Sequence, residues 1–169
     1  MKRFAACLLA FLAALSLILS GCTQSSYTTI LSSSHVAEQV RGTVKGRFHG
    51  ADDDYVSESR FGSDYEKLSS LCYDYMILLS DDEETNIDQI GVFHVINSKD
   101  VDDIASMIRS YVEAETLRLR DLLTSYNPAE LPKLEQAQVK VCGTYVLYTF
   151  LSESDTAAAI DGFEKALKA

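Results

Sequence analysis

Apolar and polar positions follow two different periods along this chain, and the changes of period mark its elements. Val36, Val40 and Val44 recur every four residues, which predicts a short amphipathic helix from Ser34 to about Val44. Gly42 and Gly46 weaken its end. Residues 47–62, RFHGADDDYVSESRFG, carry neither period and read as an irregular connection. Ser63 and Glu66 have capping-box spacing, and Tyr65, Leu68 and Leu71 then share one short helical face. Residues 73–80, YDYMILLS, and 89–96, QIGVFHVI, read as strands joined across the polar stretch DDEETNID into a hairpin with a long loop. Both are apolar on both faces, so the sheet is expected to carry helices on one side and partial cover on the other.

The longest periodic element covers residues 99–125. Val101, Ile104, Ile108, Tyr111, Val112, Leu119, Leu122 and Tyr126 recur at three- and four-residue steps with no Gly or Pro between them. Ser98 or Asp100 suits the cap, Asp102 and Asp103 suit the positive end of the helix dipole, and Asn127-Pro128 stops the helix. Residues 137–151 form a second β region. Glycine first in Gly143-Thr144 suits a type II′ turn, which pairs Cys142 with Tyr145 and Val139 with Tyr148. One strand bent at Gly143 is the alternative. Ser152 and Asp155 can box the start of a last helix with Ile160, Phe163 and Leu167 on its buried face. The order predicts an α+β two-layer sandwich. Its mostly antiparallel sheet of about four strands carries the long and final helices on one face, and the early helices cover an edge or the second face.

The chain opens on a different pattern. Met1, Lys2 and Arg3 precede an apolar run, Phe4 to Leu19, in which Ser16 is the one polar residue. A basic start, a short apolar region and small residues at 20–21 describe a secretory signal over residues 1–21, too short to span a bilayer. Leu19-Ser20-Gly21-Cys22 resembles a bacterial lipobox. That resemblance implies cleavage before Cys22 and a thioether-linked diacylglycerol on its thiol, whose two chains anchor stably. An ordinary signal peptide with an incidental Cys22 is the other reading. Residues 22–33, rich in Ser and Thr, read as a flexible tether, and residues 34–169 as a single α+β domain. The expected location is the extracytoplasmic face of the cell membrane, held by lipid.

Charge and cysteines narrow the partners. Losing Lys2 and Arg3 with the signal would move the formal charge from −10 to −12. Such a chain is not drawn to nucleic acid or anionic lipid by bulk charge. Cys72 and Cys142 remain in an exported domain, where a disulfide between them is permitted. Separate burial as small apolar groups is the alternative.

Little in the residues points to chemistry. His94 alternates with Val92 and Ile96 and lacks a metal-binding companion such as H-E-x-x-H, so a structural role is expected. Asp52-Asp53-Asp54 and Asp81-Asp82-Glu83-Glu84 are acidic, yet a calcium loop begun at Asp81 puts Asn86 sixth and Val92 twelfth, where glycine and glutamate belong. No G-x-S-x-G, S-x-x-K, G-x-G-x-x-G or P-loop occurs. Tyr73, Tyr75, Tyr145 and Tyr148 read as sheet packing rather than as an aromatic binding surface. No catalytic residue, metal or cofactor is assigned.

From Gly91 onward the chain resembles a family of bacterial lipoproteins, mainly of Gram-positive gut bacteria, known as a domain of unknown function (number four-three-five-eight). The residues that carry this are Lys99-Asp100 before the long helix, Tyr126-Asn127-Pro128 at its exit and Gly143-Thr144-Tyr145 in the last strand pair. The resemblance spans Tyr65 to Leu167, implies a surface lipoprotein, and supplies no site residues. The expectation is a non-enzymatic binding or scaffolding module with an envelope protein as partner, and an apolar second sheet face that could meet that partner or a second copy. An envelope hydrolase or thiol enzyme using Cys72, Cys142, His94 or the acidic loops, and a small solute-binding lipoprotein, are the alternatives.

Overall fold

The structure, a computed structural model, describes residues 30–46, 48–50, 60–82 and 86–168. Cys22, Asp52 to Asp54, Glu83 and Glu84 lie outside the described residues. The elements run α1 Ser33–Arg41, β1 Phe48–Gly50, α2 Tyr65–Leu71, β2 Cys72–Ser80, β3 Gln89–Val95, α3 Val101–Tyr126, α4 Leu131–Glu135, β4 Gln138–Cys142, β5 Tyr145–Phe150 and α5 Glu153–Leu167. The strands form one open antiparallel sheet in the order β1-β2-β3-β5-β4.

Locally encoded features appear as expected. The β4–β5 hairpin turns on Gly143 at φ 59, with Cys142 opposite Tyr145 and Val139 opposite Tyr148. Ser152 caps α5 by accepting from the Asp155 amide. By contrast, the Ser63 box does not form: α2 starts through a 3-10 turn, Gly62–Asp64, with Gly62 at φ 53.

The α+β class and the antiparallel sheet stand, while two details are corrected. Phe48–Gly50, within the stretch read as irregular, adds a fifth strand beside β2. The long and final helices lie on opposite faces, which makes three layers. On one face Ile104, Ile108, Tyr111 and Val112 of α3 pack on Ile77, Phe93, Val146 and Tyr148. On the other, Val36 and Val40 of α1 with Phe163 and Leu167 of α5 pack on Leu78, Ile90, Val92 and Leu147. Both faces of β2, β3 and β5 are apolar, so both need cover, and one helical layer supplies it to one side only. The second face is therefore covered by the chain's own α1 and α5, where partial cover was expected.

A 26-residue helix spans about 39 Å and a seven-residue strand about 24 Å, so α3 outruns the sheet. Its apolar stripe consequently ends in solvent: Leu122 and Tyr126, expected on the buried face, are exposed. The unforeseen α4 folds back under this end and buries Leu134 in the same cluster as Leu123.

Candidate functional site

Two polar clusters mark opposite ends of the sheet. The first clasps the entering chain. Leu31 meets Tyr145 twice: its amide donates to Oη at 2.9 Å, and Oη donates to its carbonyl at 2.6 Å. Ser33, fully buried at the start of α1, gives both donors to Asp74: its amide at 3.1 Å and its hydroxyl at 2.7 Å reach Oδ1. His94 lies beneath, stacked on the Tyr145 ring with centroids 4.2 Å apart and with Nδ1 3.9 Å from Asp74 Oδ1. A register irregularity between Cys72 and Asp74 brings this about. The extra residue flips parity, so Cys72 faces the α3 core while Asp74 faces the α1 side.

Serine, histidine and aspartate converge here with the wrong connectivity for nucleophilic catalysis. The Ser33 hydroxyl donates to the carboxylate rather than to the imidazole, which a general base would need to receive. The arrangement can hold a segment in place. It also makes stability pH-dependent. Burial lowers the His94 pKa below its usual 6.5 and Asp74 opposes this weakly. The unfolded chain thus binds the proton more readily, so the His94 contribution is complete above about pH 6.5 and falls as acid protonates the unfolded state first. Melting temperatures between pH 7.5 and 5 should fall less in His94→Phe than in the wild type.

At the other end of the sheet, α3 and the segment entering α2 frame a cleft of about 400 Å³ lined by Arg60, Tyr111, Ala114, Glu115 and Arg118. A smaller hollow of about 120 Å³ shares Arg60, Glu115 and Arg118 and reaches Ser80, Asn86 and Gln89. Below them lies a buried relay: Arg60 Nη1 donates to Tyr111 Oη at 3.2 Å, and Tyr111 and Tyr148 both donate to Gln89 Oε1, at 2.9 and 2.5 Å. Arg118 grips Glu115 with two hydrogen bonds of 2.7 and 2.6 Å. Burial works against the Arg60 charge, but Tyr111, Tyr148 and Glu115 outweigh it and hold the guanidinium above its ordinary value. Beside the hollow, Lys133 closes the α4 turn onto the β2–β3 connection through Asp88 at 2.6 Å and Glu130 at 2.7 Å. A shallow groove of about 450 Å³ also lies beside β4 and α5, but two of its carboxylates, Asp161 and Glu164, already pair with Lys165 and Lys140.

Similarity now adds a family. The family described as Domain of unknown function (DUF4358) matches residues 56–151, more than half of the chain. This chain belongs to that family. No curated protein and no solved structure matches it significantly. The match bears out the resemblance carried by Lys99-Asp100, Tyr126-Asn127-Pro128 and Gly143-Thr144-Tyr145, and stops at Leu151, short of α5. The DUF4358 segment thus contains Arg60, Gln89, Tyr111, Glu115, Arg118 and Tyr148, whereas Leu31 and Ser33 lie before it.

The residues singled out in the sequence scatter within this DUF4358 fold. Cys22 is outside the described residues. Cys72 and Cys142 are buried thiols, not joined in a disulfide, on opposite faces of the sheet. They sit on β2 and β4, three strand spacings or roughly 14 Å apart, where a disulfide needs Cα atoms within about 7 Å. Burial, with help from Asp74, pushes the Cys72 thiol up to about 12, so it stays protonated and unreactive at neutral pH. Tyr145 and Tyr148 are buried on opposite faces and Tyr73 is exposed, so the strand tyrosines form no common surface. Among the described residues no group of His, Cys, Asp and Glu could hold a metal ion, and no helix is long and apolar enough to cross a membrane. The sequence reading missed Asp74 and the whole Arg60 cleft. The one local signal was Glu115 three residues before Arg118, the spacing of a helical ion pair.

Proposed function

We propose that this DUF4358 protein is a lipid-anchored extracytoplasmic protein of the cell envelope whose domain is a non-enzymatic binding module. The observation that carries the reading is how soon the fold grips the chain after the lipobox cysteine. Leu31, the first residue held by the clasp, follows Cys22 by nine positions, which fully extended reach about 32 Å. A domain so anchored keeps its clasped end toward the bilayer and turns its Arg60 cleft, at the opposite end of the sheet, toward the envelope.

The side chains support binding over chemistry. The Ser33 hydroxyl is committed to Asp74, and both thiols are buried. Neither the hydrolase nor the thiol-enzyme alternative gains an aligned base or an exposed nucleophile from this geometry. Growth on a labelled fatty acid should label the wild type and send it to the membrane fraction, while Cys22→Ser should be unlabelled and leave that fraction. Label retained by Cys22→Ser would overturn the anchor.

A further inference from the structure

We propose that the cleft between α3 and the start of α2 binds an anionic oxygen group, a phosphate or a carboxylate, through Arg60 and Arg118. The inference rests on the reading of the domain as a binding module and names the chemistry of its ligand. Arg60 is a cation with no carboxylate hydrogen-bonded to it among the described residues. Its described hydrogen bond goes to a tyrosine hydroxyl, and its Nε is buried without a partner. A guanidinium presents donors in a planar fork that matches two oxygens of a phosphate or carboxylate, so a half-used fork beside a cleft is poised for such a group.

Local charge agrees. Arg60, Arg118 and Glu115 leave the lining of the cleft with one net positive charge, in a chain whose formal total is −10. Glu115 acts as a resident competitor. It is only 14% exposed and occupies the Arg118 fork, whereas the Arg118 side chain is 63% exposed and free to turn toward an incoming anion. Tyr111, fixed by Gln89 from behind, holds Arg60 at the cleft wall.

The competitor makes the test directional. The full chain, purified from membranes in detergent, is titrated with inorganic phosphate and with succinate at constant ionic strength while its melting temperature is followed. A saturable rise is expected with at least one probe, and which one responds identifies the group. Arg60→Gln should abolish the rise and Arg118→Gln should weaken the apparent affinity about tenfold. Glu115→Gln should tighten it severalfold, which loss of a merely structural ion pair would not do. A rise no larger than sodium chloride gives, or the same affinity in Arg118→Gln and Glu115→Gln as in the wild type, would overturn the proposal. Those two variants decide the matter if Arg60→Gln does not fold. Fatty-acid labelling of Cys22 is untouched by either result, so failure of the ligand assignment and failure of the anchor are told apart.

Discussion

Replacing Gly91 by alanine should lower the melting temperature by about 10 °C, the largest effect expected of any single methyl group in this chain. Gly91 lies opposite Tyr148 across the β3–β5 ladder, and the Tyr148 ring occupies the space beside it. A Cβ at Gly91 would stand 2.0 Å from Cε1 and 2.5 Å from Cδ1 of that ring. The ring has nowhere to go. It is fully buried, with the rings of Phe93, Tyr111 and Phe150 about it at centroid distances of 6.0, 5.4 and 6.2 Å. Overpacking of this kind costs about 1–3 kcal/mol. Turning the ring aside also strands its buried hydroxyl from Gln89, at about 1–3 kcal/mol more. Combining Gly91→Ala with Tyr148→Leu should recover part of the loss, because leucine removes the ring that the new methyl meets. A thermal melt of Gly91→Ala within 2 °C of wild type would refute this account of the β3–β5 contact.

Asp74→Ala should act more locally and nearly as strongly. Its carboxylate accepts two donors from the buried Ser33; deletion strands the Ser33 amide and leaves the hydroxyl only the Asp74 backbone carbonyl, 3.2 Å away. A stranded buried amide costs about 1–3 kcal/mol. The loss falls on α1, whose Val36, Ala37 and Val40 are all fully buried against the sheet. Hydrogen exchange should therefore rise at residues 36–42 well before it rises in β3 or β5, and the global melt should drop by several degrees. Asp74→Asn should restore much of the protection, since its amide oxygen still accepts. Uniform exchange changes across both faces would contradict a role specific to the clasp. If the tether is lipid-anchored, the same variant should also loosen the domain's fixed attitude to the membrane.

What could be read beforehand divides by the range of the forces involved. The long helix, the capping of α5 and the Gly143-Thr144 hairpin were legible because each is encoded within a few residues. A 3.6-residue period, a side chain three positions from its amide and a glycine first in a two-residue turn all act locally. β1 was not legible. Three residues carry no period, and Phe48 to Gly50 is extended because β2 offers an unpaired edge. The layering was hidden for a related reason. Apolar residues on both faces of a strand say that both faces are covered, but not which helix covers which. The cleft was hidden most completely, since Arg60, Gln89, Tyr111 and Tyr148 are widely separated in sequence and each is unremarkable beside its neighbours.

The sequence by itself determined the class of fold, the family and the approximate extent of the longer elements, because hydrophobic period and turn chemistry are local properties. It also carries the lipobox-like step at Cys22, a pattern that needs no fold to be seen. The tertiary structure decided which side of the sheet each helix covers, that Cys72 and Cys142 face away from each other, and that a half-buried arginine opens onto a cleft. Those facts arise from a one-residue bulge in β2 and from packing between distant segments. A single extra residue reverses the face of a side chain, and only the assembled core shows which face that is.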